Sequence, residues 1–382
     1  MATISKRGET YRIKASCGYD TKGKQIIKSM TYKPKLGMTE KQIQKELNRQ
    51  AILFEEEVKN GYNIASSKLE DFMEQWFVDY VELKLKKTTI SSYNRMKKRV
   101  YKNLGHLRID KISPLDIQKF VSTMVSEELS TNTIKNNVRL VSDVLNYAVK
   151  KRLLTYNPCI TVDYPKDDKK VKNMFSVEEA KQFLDLLKKQ DYDNYMPHIA
   201  FFSLLVYTGA RKSELLALEW SDIDFSNQTI SINKGYHYSS WYKESYVDTT
   251  KTKSSERIIK ISDVPIKALE ELAKWQSEQK EICGIRWCDT NRLFIYRTGE
   301  PLSAQTPNNW LRSFCKRTGM KHVNVHSFRH FTASALINQG VDVVSVQSIL
   351  GHSTAATTLN IYAHAFNNAN AKASQAVVDV LE

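Results

Sequence analysis

Between residues 3 and 33 polar and apolar side chains alternate in short runs parted by turn residues: Tyr11 to Ala15, a turn over Gly18 to Lys24, then Gln25 to Tyr32. A period of two marks half-buried strands, so this stretch predicts a small strand meander. After Thr39 the period lengthens. Thr39-Glu40-Lys41-Gln42 has the form of a capping box, and Ile43, Leu47, Ile52 and Phe54 supply the apolar stripe of a helix. The helical period then runs from about Ser66 to Asp163, with Leu69, Phe72, Trp76, Tyr80 and Leu83 three to four apart. Further helix starts are signalled by Thr89, by Ser113-Pro114 and by Ser130-Thr131-Asn132. Val138, Val141, Leu145 and Ala148 line the last of these helices, which Asn157-Pro158 is expected to end.

Tyr164 to Lys172 is polar and led by Pro165, and reads as a linker. Beyond it Ser176-Val177-Glu178-Glu179 is a second capping box, opening a mostly helical region interrupted by strand-like alternation at Thr229 to Ile232 and Arg257 to Ile261. The pattern predicts three domains of a mixed fold. They are a small β-sheet plus helix over 1–65, an all-α domain over 66–165, and a mainly α domain with a small antiparallel β-sheet over 172–382.

Composition supports folded cores and adds a partner. The 382 residues are 41% hydrophobic and 10% aromatic, and 57 Lys and Arg against 42 Asp and Glu leave a formal charge of +15. Such a balance selects a polyanion. The first 35 residues hold nine basic side chains against Glu9 and Asp20, a local charge of +7 that predicts a basic face on the small sheet. The amino terminus has no apolar run of signal-peptide form, and the longest nearly unbroken apolar run, Ile199 to Tyr207, is far short of a membrane span. The expectation is a cytoplasmic protein with no membrane partner. Five scattered cysteines (Cys17, Cys159, Cys283, Cys288, Cys315) suit a reducing compartment better than a disulfide framework. Signatures of nucleotide hydrolysis, zinc proteolysis and serine hydrolysis (P-loop, HExxH, GxSxG) are missing from the sequence, as is GxGxxG.

Four separated segments carry chemistry. In Tyr207-Thr208-Gly209-Ala210-Arg211-Lys212-Ser213-Glu214 an arginine sits at a helix break, where its guanidinium can fork onto phosphate oxygens. Thr250 to Arg257 is a polar turn carrying Lys251 and Lys253, either of which can give a proton to a leaving oxygen. His326-Ser327-Phe328-Arg329-His330 puts His326 and Arg329 on one helical face. A metal pair of His326 and His330 competes, but no carboxylate or thiolate flanks them at ligand spacing. Leu350 to Tyr362 places His352 before a helix bearing Tyr362. Taken singly these are an exposed helix-start arginine, a solvated turn lysine, a helical histidine and a half-buried tyrosine. Together in a basic chain they are the set that metal-free phosphodiester transesterification needs.

At this set the sequence resembles the tyrosine recombinase (phage-type integrase) family, most of all integrases of phages and conjugative transposons of Gram-positive bacteria, over nearly its whole length. TGARKSELLALEWSDID is similar to the family's first box, HSFRH to its HxxR box, and LGHSTAATTLNIYAH to the box of the second histidine and the tyrosine. The resemblance implies a catalytic set of Arg211, Lys251, His326, Arg329, His352 and Tyr362, with no cofactor and no metal. Tyr362 is the nucleophile, Arg211 and Arg329 clamp phosphate oxygens, His326 moves the proton, His352 bonds the phosphate and Lys251 (Lys253 being the alternative) protonates the 5′-oxygen. Glu214 matches the box-one acid and orients the site. The implied protein is a site-specific DNA recombinase acting as a homotetramer on double-stranded attachment sites. Residues 1–65 read arm repeats, 66–165 grip the core site, and an excisionase and a host DNA-bending protein are possible partners. The apolar strip within Ala371 to Leu381 docks on a neighbouring subunit or folds into its own core. Two rivals remain at this level: a type IB topoisomerase with the same chemistry, and a DNA-binding regulator without it.

Overall fold

The computed structural model describes residues 2–19, 25–34, 37–59, 67–166, 173–249 and 256–351. The chain forms two units, residues 1–169 and 170–382. In the first, β1 (Thr3–Arg7), β2 (Thr10–Tyr19) and β3 (Gln25–Tyr32) make an antiparallel sheet in sequence order. Ile13 pairs with Ile4 on one side and Met30 on the other, and is fully buried under α1 (Glu40–Lys59). Gln42 caps that helix by accepting from the Thr39 backbone N–H at 2.9 Å. Leu47, Ala51 and Phe54 form its buried stripe, whereas Ile52 is 60% exposed. The expected stripe is one residue off: 47, 51 and 54 follow the turn, and Ile52 lies about 100° further round.

A separate helical core follows. α2 (Leu69–Trp76) runs on through a π turn at Phe77–Val81 into Glu82–Lys84. Leu69, Phe72, Trp76 and Val81 are buried, but Leu83 is 74% exposed. A π turn takes an extra residue, so everything beyond it is rotated off the apolar face that a uniform 3.6 period assigns it. α3 (Lys87–Val100) starts two residues ahead of Thr89, after Lys86, with no side-chain cap. α4 (Pro114–Ser126) is closed by a reciprocal Ser113–Asp116 box and α5 (Thr131–Lys150) by Ser130. α5 stops well before Asn157-Pro158. Arg152 takes a left-handed φ of 58°, and the Leu153 N–H bonds the Ala148 carbonyl at 2.9 Å. That is a Schellman stop with arginine in the place usually held by glycine. Asn157 is instead buried, donating to Ser142 and Asn146 and accepting from the Cys159 N–H to start a 3-10 turn at Pro158–Thr161.

In the second unit, α6 (Val177–Lys188) has the predicted Ser176–Glu179 box. α7 (Tyr192–Thr208) and α8 (Lys212–Ala217) follow. β4 (Ile223–Asp224), β5 (Thr229–Ile232) and β8 (Arg257–Lys260) form an antiparallel sheet in the order β4-β5-β8. Between β5 and β8 lies a hairpin that the sequence pattern did not reveal, β6 (Lys234–Ser239) with β7 (Glu244–Thr249). Its left-handed turn residue is Lys243, at φ 54°, so no glycine or asparagine marked it. α9 (Asp263–Cys283), α10 (Thr306–Thr318), α11 (Val325–Asn338) and α12 (Val343–Leu350) complete the unit. Its centre is aromatic: Phe183 stands 4.9 Å from Phe328 and 5.1 Å from Phe314, ring centre to ring centre. This packing seats α7 and α11, which carry the two arginine segments. Among the described residues no helix is long and apolar enough to cross a membrane.

Candidate active site

The apolar α7 ends at Gly209, which is left-handed at φ 61°. A Cβ there would come within 2.7 Å of Leu350 Cδ2 and 3.1 Å of Thr332 Cβ, so glycine is required both by φ and by the close approach of α11 and α12. Thr208 steadies the break, its hydroxyl donating to the Leu204 carbonyl at 2.6 Å and accepting from the Ala210 N–H at 3.2 Å. Arg211 then caps α8. The Glu214 carboxylate accepts from the Arg211 backbone N–H at 2.9 Å and from its Nη1 at 2.6 Å.

Arg329 lies on α11 and is 1% exposed. Its Nη1 donates to the Gly209 carbonyl at 3.0 Å and its Nη2 to the Leu350 carbonyl at 2.6 Å. The α12 end is a shared acceptor. Arg211 Nη2 donates to the Gly351 carbonyl at 2.9 Å, and Arg257 Nε to the Ile349 carbonyl at 2.7 Å. Three consecutive carbonyls thus receive three guanidiniums, where the helix has its unsatisfied acceptors and its partial negative charge. Arg257 Nη2 also reaches the second oxygen of Glu214 at 2.8 Å. Glu214 is 4% exposed. Burial alone pushes its pKa up, but the guanidiniums of Arg257 and Arg211 more than offset this and hold it below the usual carboxylate range. It is therefore an anion at neutral pH, shared by two arginines.

His326 stands in the first turn of α11, exposed, its ring centre 4.9 Å from that of His330. Asn324 caps this turn through the Ser327 N–H, and the Ser327 hydroxyl donates to the Asn173 carbonyl at 2.7 Å. Among the described residues no group of three or more His, Cys, Asp or Glu is placed to hold a metal ion. Lys212, next to Arg211, is half-buried and donates to the Ala304 carbonyl at 2.7 Å, its pKa lowered by desolvation.

The structure thus gathers Arg211, Glu214 and Arg329 from two of the four segments, with His326 one turn before Arg329. Lys251, Lys253, His352 and Tyr362 lie outside the described residues. Sequence reasoning missed Arg257 as part of this cluster. Its only signal was an arginine opening a predicted strand, which is also what an ordinary solvated position looks like.

Residues 173–369 match a model of the Phage integrase family, and residues 68–125 match the Phage integrase, N-terminal SAM-like domain. The chain is similar to the ICEBs1 integrase of Bacillus subtilis (strain 168), 30% identical over 278 residues that make up 72% of each chain. It is also similar to the transposase from transposon Tn916 of Enterococcus faecalis, 27% identical over 70% of this chain and 67% of the relative. Among solved structures it resembles the Tn1549 transposon integrase in complex with transposon right end DNA. That match has 24% identity and a TM-score of 0.69, and covers 81% of this chain and 99% of that one. A lambda integrase tetramer bound to a Holliday junction is 17% identical with a TM-score of 0.54, over 93% and 94% of the two chains.

Proposed function

Because the chain belongs to the phage integrase family, we propose that its arginine cluster is the phosphate clamp of a DNA strand-transfer site in which Tyr362 is the nucleophile. The protein is a site-specific DNA recombinase of mobile elements and an enzyme that transfers DNA strands. The Tyr362 oxygen bonds to the scissile phosphorus as the bond from phosphorus to the 5′-oxygen breaks. The departing electron pair stays on that oxygen, which takes a proton from Lys251, leaving a 3′-phosphotyrosyl link and a free 5′-hydroxyl. One phosphoester replaces another, so attack by the 5′-hydroxyl of a second strand reverses the step without ATP. His326 serves as general acid and base for the tyrosine, whose ordinary pKa of about 10 makes proton removal part of the barrier at neutral pH. His352 hydrogen-bonds a phosphate oxygen. Arg211 and Arg329 neutralise charge that grows in the transition state, an effect worth about 3 kcal/mol for a preorganised donor.

One observation carries this reading. Arg211 and Arg329, from two distant segments, are both anchored on the backbone of the Leu350–Gly351 turn, and His352 is the next residue in the chain. Each guanidinium is fixed before substrate arrives, which is what charge stabilisation without reorganisation requires. Residues 1–65 act as the arm-repeat reader, 66–165 as the core-site grip and 172–382 as the catalytic domain. The enzyme works as a homotetramer on two DNA duplexes, with an excisionase and a host DNA-bending protein as candidate partners, in the cytoplasm at the nucleoid. Strand exchange is preferred to topoisomerase-type rejoining and to mere DNA binding because relatives along the chain are named as integrases and a transposase.

The test uses wild-type protein and Tyr362→Phe with a nicked attachment-site oligonucleotide on a denaturing gel. A 3′-linked covalent adduct that disappears in the variant is the expected result. Binding by both proteins with an adduct from neither overturns the assignment.

A further inference from the structure

Resting on the strand-transfer reading, the geometry around Glu214 leads us to propose that Arg257 is a positioning residue: it neutralises Glu214 so that the charge of Arg211 is left to the scissile phosphate. It does so from a buried position, its side chain 6% exposed against 34% for that of Arg211. The carboxylate is divided between the two. Oε1 takes Arg211 Nη1 at 2.6 Å, while Oε2 takes Arg257 Nη2 at 2.8 Å and the Arg211 N–H at 2.9 Å. Water cannot compensate a buried carboxylate, so without Arg257 its charge falls on Arg211, drawing that guanidinium back from anything in front of it. With Arg257 in place, the described charges that meet here are three arginines and one carboxylate, leaving two positive charges. A phosphodiester carries one negative charge and its five-coordinate transition state two.

Arg257 has a second hold. Its Nε donates to the Ile349 carbonyl at 2.7 Å, and a Cβ on Gly351 would come within 2.8 Å of its Nη1. The guanidinium therefore lies against the turn that leads to His352, tying β8 to the end of α12. Glu214 orients Arg211 and Arg257 fixes Glu214, and neither task requires Arg257 to touch DNA. Lysine at this position keeps the charge but loses the fork that reaches both the carboxylate and the carbonyl.

Single-turnover adduct formation on the nicked attachment-site oligonucleotide separates this role from simple structural support, with DNA affinity and thermal unfolding measured alongside. Arg257→Gln is expected to slow adduct formation about a hundredfold, with affinity within about threefold of wild type, because the loss lies in transition-state charge. Arg257→Lys recovers about tenfold of that loss, since compensation returns without the fork. The decisive variant is Glu214→Gln combined with Arg257→Gln, expected to be about tenfold faster than Arg257→Gln alone because it removes the uncompensated carboxylate. A double variant as slow as Arg257→Gln, or Arg257→Gln at the wild-type rate, overturns the proposal. Should Arg257→Gln fail to unfold cooperatively, the folded pair decides: the charge-balanced double variant is expected within about tenfold of Arg257→Lys, and a hundredfold shortfall overturns the proposal. No adduct from wild type overturns the strand-transfer reading itself, a result distinct from any of these.

Discussion

Arg329 is among the largest fully buried side chains of the molecule, and a buried guanidinium survives only with acceptors close to it. Those acceptors are backbone carbonyls, so the charge of Arg329, unlike that of Arg211, is not opposed by Glu214. Arg329→Lys should lower the single-turnover adduct rate about a hundredfold, as one ammonium cannot span Gly209 and Leu350, while leaving filter-bound DNA nearly unchanged. Glu214 and His198 give the protein two separate acid limbs. His198 is stacked 5.1 Å from Trp310, and burial pushes its pKa down from 6.5 to about 4. Its unfolded form gains a proton below pH 6.5 that the folded form refuses, so stability falls as pH drops from 6.5 towards 4, by up to about 3 kcal/mol. His198→Phe is expected to flatten that limb in urea melts compared at pH 7.5 and 4.5; an unchanged slope would rule out His198 as its source. Glu214 acts lower on the scale. Its folded pKa lies below the ordinary carboxylate value, so its contribution is full above that value and is lost as pH falls through the lowered one.

At the scale of elements, caps and turns set where helices run, and one proline shows how a local defect is absorbed. Pro197 inside α7 has no N–H for the Asp193 carbonyl, and that carbonyl accepts instead from Trp275 Nε1 at 3.1 Å and Arg297 Nη2 at 2.9 Å. The helix that delivers Arg211 is thus pinned to α9 where its own ladder is broken. Ser113→Ala should cost about 1 kcal/mol in denaturant melts because it removes the hydroxyl that accepts from the Asp116 N–H. The π turn at Phe77–Val81 has an equally plain consequence. Leu83→Gln should stay within about 0.5 kcal/mol of wild type, whereas Leu69→Ala, from the buried side of the same helix, should cost about 3 kcal/mol. A large loss from Leu83→Gln would mean that this face is covered.

Across the whole molecule, charge and core are distributed differently. The sheet with α1, the helical core that follows it and the second unit each have their own apolar cluster, while the excess of +15 runs through all of them and is dense in the first 35 residues. Binding of a polyanion by many such groups releases counterions, so affinity should fall steeply with salt. Deleting residues 1–65 is expected to make the slope of log affinity against log salt shallower, by about 0.9 for each phosphate of duplex arm-site DNA that this domain neutralises, measured by fluorescence anisotropy. An unchanged slope would mean that the arm DNA is held by another part of the chain.

The sequence by itself determined the local units and the chemistry. Periods of two and 3.6, the boxes at Ser113 and Ser176 and the glycine after Thr208 depend on neighbours a few residues away, and so were legible from order alone. The resemblance of the boxes around Arg211 and Arg329 named the reaction class for the same reason: each is a short run with a fixed spacing. Reading failed where position depends on something outside the run. Ile52 and Leu83 are apolar residues turned to solvent by one-residue phase shifts, and the β6–β7 turn rests on a lysine in a glycine's conformation. Arg257 is the clearest case. Nothing near it in the chain distinguishes it from a surface arginine, and only tertiary packing brings it to Glu214, 43 positions earlier, and to Ile349, 92 positions later. Charge pairing acts through space with no period along the chain, so the fold alone decided which of the arginines would share one buried carboxylate and the end of one helix.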